Sequence, residues 1–473
     1  MPLTIEFDNS YARLPDRFFA PQAPVPVAAP ELIVVNDDLA RELGIDPAEL
    51  RSAEGVEMLA GNAIPEGAAP LSQAYAGHQF GGWVPQLGDG RAVLLGEVDG
   101  AQGRRDLQLK GSGRTPFSRG GDGRAWLGPV LREYLVSEAM YALGIPTTRA
   151  LAAVSTGERV QREQGRDGAV LTRIAASHIR VGTFQYFAAR QDVEALQLLA
   201  NHVIERHYPT ATDAISLLDQ VLEAQAGLIA QWMSVGFIHG VMNTDNMAVS
   251  GETIDYGPCA FMDTFHAEKV FSSIDQFGRY AWCQQPLVAP WNLAQFASCL
   301  LPLMGEETTA IEQATAIIHS FPERYQRHWR RQFGAKIGLV EADAEDDALI
   351  DDLLSLMQAQ NADFTNTFNA LSGGDARQEF DDPTAFDVWE TRWRERLQRE
   401  TNPEARMQAA NPAVIPRNHQ IEAAISQAEG GDFTLFHRLN AALATPYELD
   451  TPNADLALPP TPEQVVRNTF CGT

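Results

Sequence analysis

Period-two alternation of apolar and polar residues marks the stretch from Val84 to Lys110, where the runs AVLLGEV and LQLK flank the turn-forming segment DGAQGRR and predict antiparallel strands. Strand-like material returns over residues 150–175. Between them, GSGRTPFSRGGDGRAWL (residues 111–127) reads as a long Gly- and Arg-rich loop; Gly128-Pro129 opens a helix that runs to Leu143 and stops at Gly144-Ile145-Pro146. Beyond about residue 190 the helical period dominates. Leu218, Leu222, Ile229 and Trp232 share one side, which predicts a long core helix delivering the loop that follows it. Residues 1–70 carry Pro-interrupted apolar stretches such as PQAPVPVAAP. They read as an irregular arm wrapping another unit, with one short helix around Asp37 to Leu43. The acidic run EADAEDDALIDDLL reads as the solvated face of a helix. The expected class is α+β, with an arm and a sheet-bearing unit over residues 1–185 and a helical unit over 186–473.

At 473 residues the chain is too long for one ordinary core, and 45% hydrophobic with 21% charged residues is the balance of a folded protein. A formal charge of -26 repels nucleic acid phosphates, so nucleic acid is not an expected partner. The N-terminus lacks a basic leader followed by an apolar core, and no apolar run approaches the roughly 20 residues that cross a bilayer, which points to the cytoplasm and to no membrane association. The four cysteines, Cys259, Cys283, Cys299 and Cys471, have no zinc-like spacing.

The chemistry concentrates in HGVMNTDNM, His239 to Met247, followed by Asp255-Tyr256-Gly257. A protein kinase places a metal-binding Asn seven residues after the His of its catalytic loop and a metal-binding Asp on the next hairpin. Asn246 and Asp255 hold those places, whereas the position of the kinase's catalytic Asp is Val241. MAVSGETI reads as a strand, a Ser-Gly turn and a return strand, which would bring Asp255 back to Asn246 so that both oxygens share one divalent ion. Asp245 is the one acid left inside the loop: a candidate base for a hydroxyl nucleophile, or else a residue that orients the loop. His239 is expected to hold loop geometry rather than transfer protons.

Upstream, Gly88-Asp89-Gly90-Arg91 is either a hairpin turn or a phosphate loop, and Lys110 ends a strand as a phosphate-binding cation or as a solvated end. Glu133 and Glu138 are five residues apart on one helix, so only one can face Lys110; Glu133 is the choice and Glu138 is expected to be exposed. Gly120-Gly121-Asp122-Gly123-Arg124 is a lid, a nucleotide contact or a surface loop. Arg173 and Arg180 carry guanidinium forks suited to phosphate oxygens.

Together GDGRA, LQLKGSGRTPFSRGGDGRA, LREYLVSEAMYALGIPTTRAL, SHIRVGTF, HGVMNTDNM and IDYGP resemble the selenoprotein O family, and the likeness extends over nearly the whole chain. The resemblance implies a protein-kinase-like two-lobed fold with a small β-containing N-lobe and a large helical C-lobe. It implies a protein adenylyltransferase that moves AMP from ATP to Ser, Thr or Tyr hydroxyls of protein substrates, with ATP flipped relative to a kinase. On this sequence, Lys110, Arg173 and Arg180 would hold the phosphates, Glu133 would anchor Lys110, and Gly88, Gly90, Arg91, Asp122 and Gly123 would complete the nucleotide pocket. Asn246 and Asp255 would bind magnesium or manganese, with Asp245 as proton acceptor. Eukaryotic relatives carry selenocysteine near the C-terminus, where this chain has Cys471, which suggests a regulatory disulfide with Cys259. Conventional phosphotransfer and a non-enzymatic nucleotide-binding scaffold are the rival readings.

Overall fold

The structure, a computed structural model, describes residues 5–448 and 451–470. In chain order its first half carries the strands β1 (Phe19–Pro21), β2 (Glu31–Val35), β3 (Leu71–Gln73), the hairpin β4 (Gly77–Gln79) and β5 (Gly82–Val84), β6 (Ala92–Gly100), β7 (Gly103–Lys110), β8 (Ala125–Trp126), β9 (Arg149–Gln161) and β10 (Gly165–Ala175). All except the hairpin join one sheet, in the order β1-β3-β6-β7-β10-β9-β2 with β8 added on β10. Every pairing is antiparallel.

The two faces of this sheet bury separate cores, as period-two alternation requires. Val93, Leu95, Leu107, Leu109, Val170 and Ile174 point to one face, and Leu94 and Leu171 point to the other. Residues of the N-terminal arm cover the first face: Leu39, Leu43, Leu50, Met58 and Leu59 belong to that core. The arm is therefore less irregular than its prolines suggest. It contributes β1 and β2 to the sheet and forms three short helices, α1 (Asp37–Glu42), α2 (Pro47–Leu50) and α3 (Ala53–Ala60). Helices this short need their free N–H groups satisfied locally. Asn36, Asp46 and Ser52 do so, accepting from the backbone N–H of Leu39, Ala48 and Gly55.

The opposite face packs on α4 (Leu127–Ala142), whose Leu131 and Leu135 are fully buried. Glu138 of α4, expected to be exposed, is instead a structural anchor. It accepts a forked pair from Arg149 (2.9 and 2.7 Å), the backbone N–H of Ala150 (2.7 Å) and the amide of Asn36 (2.7 Å), tying helix, sheet and arm together.

The second half is helical. After α5 (Val181–Ala188) and α6 (Val193–His207), the long helix α7 (Ala214–Ser234) starts at an Asp213–Ser216 capping box and buries Leu218, Leu222, Ile229 and Trp232. It feeds β11 (Phe237–Ile238), which pairs with β12 (Ala260–Phe261); α8 (Gln285–Leu300) and further helices extend to Leu443. The segment between β11 and β12 departs from expectation, since residues 247–255 form no hairpin. Ala248 bridges to Arg180 and Thr253 to Thr147, so flanking elements take much of this segment's backbone bonding, beside one internal turn bond from the Gly251 N–H to the Ala248 carbonyl (3.2 Å). The acidic run likewise does more than face solvent. In the helix Ala344–Gln360, Asp346, Asp347 and Asp352 pair with Arg396, Arg330 and Arg392, and Leu349, Ile350 and Leu353 are buried. Among the described residues no helix is long and apolar enough to cross a membrane.

Lys336, at the end of the helix Phe321–Lys336, is buried, with its ammonium 4.4 Å from the ring centroid of Phe368 and 5.6 Å from that of Phe364. Burial pulls its pKa down to about 7. A base whose folded pKa lies below its unfolded value binds fewer protons when folded, so its cost is complete below pH 7 and fades as pH rises toward the unfolded value. Lys336→Met is accordingly expected to raise the unfolding free energy at pH 7 by about 2 to 4 kcal/mol. In chemical denaturation across pH 7 to 10 that gain should shrink; a gain independent of pH would show that the lysine is not strained.

Candidate active site

Alternation on the sheet selects the side chains that face α4. Lys110 lies opposite Leu171, and Arg173, two residues further along β10, lies opposite Gln108. Gln108, Lys110 and Arg173 therefore share a face, and α4 brings Glu133 to it. Lys110 Nζ donates to Glu133 at 2.5 Å and to Asp255 Oδ1 at 2.9 Å. Arg173 Nη1 donates to the same Asp255 oxygen at 2.7 Å and to Glu133 at 3.2 Å. Arg180, immediately before α5, completes the cluster: its Nη1 reaches Asp255 Oδ2 at 3.0 Å and the carbonyl oxygen of Asp245 at 2.9 Å, while its guanidinium lies 4.5 Å over the ring of Tyr75.

One carboxylate thus receives three cations. Burial works against the ionisation of Asp255, but Lys110, Arg173 and Arg180 outweigh it and hold the carboxyl well below its usual range. Asp255 adopts φ +65°, a left-handed backbone that few non-glycine residues take without compensation. The three cations supply that compensation.

The loop before it is held from two sides. His239 is fully buried and neutral, because burial lowers its pKa; its Nε2 donates to the carbonyl of Ile254 (2.9 Å) and its Nδ1 accepts from the N–H of Val241 (3.3 Å). It fixes the loop at both ends, next to Asp255 and at Val241. From the other side comes the β4–β5 hairpin, which the sequence reading passed over. Three consecutive hairpin residues meet three consecutive loop residues: His78 N–H on Thr244 Oγ1 (2.7 Å), the Gln79 amide on Asp245 Oδ2 (3.0 Å) and Phe80 N–H on Asn243 Oδ1 (2.9 Å). Gly77 permits this approach, since a Cβ there would lie 2.7 Å from Asp245 Oδ1. Asp245 Oδ1 itself has no hydrogen-bond partner among the described residues. Burial pushes the Asp245 carboxyl up to about 6. Asn246 spends its amide N–H on the Val241 carbonyl (2.9 Å), which leaves its Oδ1 available as a donor to a cation.

Lys110, Glu133, Arg173, Arg180, Asp245, Asn246 and Asp255 line a cavity of about 730 Å³, together with both Gly-rich loops, Gln79, Asn243 and Arg162. Gly88 and Gly90 meet a packing demand that the sequence did not reveal: a Cβ at Gly88, at φ +79°, would lie 2.3 Å from the ring of Phe117. Asp89 between them turns inward, accepting from the Gln73 N–H (3.1 Å) and the Gln108 amide (3.2 Å), and burial raises its pKa to about 6. In the second loop Asp122 pairs with Arg162 at 2.8 Å and accepts the Arg124 N–H at 2.9 Å, and Gly123 and Arg91 line the cavity. The lining carries seven basic and five acidic side chains, a local excess of positive charge in a chain of net charge -26. Such an inversion concentrates anions in a cleft.

Cys259 lies beyond the cavity floor, fully buried, its thiol pushed up to about 12, which describes an unreactive thiol. Cys471 falls outside the described residues, so the expected Cys259–Cys471 disulfide has no support here. Among the described residues no group of three or more His, Cys, Asp or Glu side chains forms a metal cage.

Comparison with known proteins shows that the chain is an enzyme of a known family. The family model described as protein adenylyltransferase SelO matches residues 2–444. The chain is 59% identical over 474 residues to a protein nucleotidyltransferase YdiU of Ruegeria pomeroyi and 60% identical over 474 residues to that of a Ruegeria species, covering 100% of both chains in each case. A YdiU protein of a Jannaschia species is 59% identical over 481 residues, again over the full length of both. The class defined is that of the nucleotidyltransferases. Within it, this chain belongs to the SelO family.

Because three cations converge on Asp255, removing that side chain leaves Glu133 as the one carboxylate bonded to Lys110 and Arg173 among the described residues. Asp255→Ala is expected to lower the unfolding free energy by about 3 kcal/mol at pH 7 with no ligand added. The carboxyl pKa is depressed in the fold, so this contribution is present above the unfolded pKa and is lost as pH falls through the folded one. Urea titrations at pH 7 and at steps downward from pH 5 check both statements; equal stability of variant and parent at pH 7 would remove the cluster's structural role.

Proposed function

We propose that the cavity binds ATP and that the protein transfers AMP to Ser, Thr or Tyr hydroxyls of other proteins. The observation that carries this reading is the convergence of Lys110, Arg173 and Arg180 beside two acids whose pKa values are shifted in opposite directions. Asp255 is held ionised among the cations, and the carboxyl of Asp245, ten residues away in the chain, is pushed up to about 6 by burial. Separating two carboxyl groups in this way suits one to charge neutralisation and the other to proton transfer. On this reading Lys110, anchored by Glu133, together with Arg173 and Arg180 grips the phosphates. Gly88, Gly90, Arg91, Asp122 and Gly123 line the nucleotide pocket, and the wider architecture corresponds to a kinase-like pair of lobes dividing near residue 185.

Asn246 Oδ1 and Asp255 are hard oxygen donors that suit magnesium or manganese, ions that take one or two protein ligands and fill the rest with water and phosphate. Bound there, the ion would neutralise charge on the phosphates. Asp245 accepts the proton of the acceptor hydroxyl, its carboxylate held by the Gln79 amide and its free Oδ1 lacking any competing donor. The acceptor oxygen bonds to the α-phosphorus, the bond from that phosphorus to the bridging oxygen breaks, and pyrophosphate leaves. Val241, in the place where a kinase carries its base, cannot take a proton. The flipped orientation of ATP rests on the family likeness. We place the reaction in the cytoplasm.

Incubation with a protein acceptor and ATP labelled at the α- or the γ-phosphate tests the reading. Label is expected from the α-position alone and only with a divalent ion present. Asp245→Asn is expected to lower kcat at least about a hundred-fold while ATP still binds. Label from the γ-position would instead make the protein a kinase, and ATP binding without any label would make it a scaffold.

A further inference from the structure

We propose that His178 is a positioning residue for the phosphate grip, aiming Arg173 into the cavity from behind; the proposal rests on the nucleotide reading of that cavity. His178 does not line the cavity, whereas Arg173 does. All three guanidinium nitrogens of Arg173 are engaged, but by different kinds of partner. Nη1 faces Asp255 and Glu133, while Nε donates to His178 Nε2 at 3.2 Å and Nη2 to Gln108 Oε1 at 2.7 Å. His178 and Gln108 lie behind Arg173 and are fully buried.

The chemistry of the rear contacts is specific. A carboxylate there would neutralise the charge that the cavity side uses, and a protonated imidazole would set a donor against the Nε–H donor. A neutral imidazole protonated on Nδ1 avoids both faults. Asp106 imposes that tautomer: its Oδ2 accepts from His178 Nδ1 at 2.8 Å and from the His178 backbone N–H at 2.9 Å, and its Oδ1 accepts from Arg206 at 2.5 Å. Burial disfavours the Asp106 carboxylate, but Arg206 and His178 outweigh it and keep the group ionised. Burial lowers the His178 pKa to about 4, so the ring stays neutral throughout the physiological range. Asp106, Gln108 and Lys110 alternate along β7, so a single strand face supplies the orienting acid, the second rear acceptor and the neighbouring cation.

Two substitutions separate positioning from mere packing. His178→Asn places its amide where Nδ1 was and loses the acceptor for Arg173; His178→Gln reaches the place of Nε2 and keeps it. With magnesium-ATP titrated into each purified full-length protein, His178→Asn is expected to weaken binding and raise the KM for ATP about ten-fold, with a much smaller change in kcat, and His178→Gln to recover most of the loss. A folded His178→Asn that binds ATP as tightly as the parent, or a Gln variant as weak as the Asn variant, would overturn the proposal. If the variants fail to fold, imidazole 15N shifts of the parent decide it: an Nδ1-protonated neutral ring from pH 6 to 8 is expected, and a charged or Nε2-protonated ring overturns it. A parent protein that binds no ATP at all would defeat the nucleotide reading rather than this assignment alone.

Discussion

The carboxylate of Asp255 is the point on which the rest of this structure turns. Lys110 comes to it from β7, Arg173 from β10 and Arg180 from the start of α5, so three separately folded segments meet at two oxygen atoms. None of these cations would be stable where it is without a countercharge, since isolated buried charge is costly. Nor would Asp255 hold its left-handed backbone without partners on both oxygens. Each strain is relieved by the other, and Glu133 shares the load by taking a second bond from both Lys110 and Arg173.

A gradient of acid strength follows from the same arrangement. Asp255 sits among cations and stays ionised; Asp89 and Asp245, a short way along the same cavity wall, have fewer cationic partners and are pushed toward neutrality by burial. The cavity therefore offers acids of different strength within a lining whose overall charge opposes that of the protein. Burial is the main cause for the raised pair, with the Asp255 charge adding to it, and the three cations are the cause for the lowered one.

Much of this was legible in the sequence, for reasons that differ from residue to residue. The strands β6 and β7 and the helix α7 were legible through periodicity and α4 through its start and stop signals, and Glu133 was the helical acid chosen to meet Lys110, as the structure has it. Of the short elements only α1 was legible, as the helix expected around Asp37 to Leu43. β1 and β2 have three and five residues, too few to display a period, and the other helices of the arm depend on single capping side chains. The segment after Asn246 read as a hairpin because apolar residues flank a Ser-Gly turn, yet its backbone partners lie at Arg180 and Thr147, distant positions that local pattern cannot reveal. Gln79 was missed for a related reason: its importance comes from a long-range contact with Asp245, and the stretch YAGHQFGGW has neither charge nor period to attract notice. His178, by contrast, lay inside the motif SHIRVGTF but was overshadowed there by its cationic neighbour.

The β4–β5 hairpin fastens the cleft across its width. It leaves the chain between β3 and β6, both members of the sheet, yet its hydrogen bonds end on the loop delivered by the helical half, and Phe80 also packs on Tyr280 with ring centroids 5.1 Å apart. Swinging the sheet away from the helices as two rigid halves would tear this clasp and uncover the Asp245 carboxylate at the same moment. The clasp therefore couples the position of the sheet to that of the Asn243–Asp245 loop, so one side of the cavity cannot shift without the other.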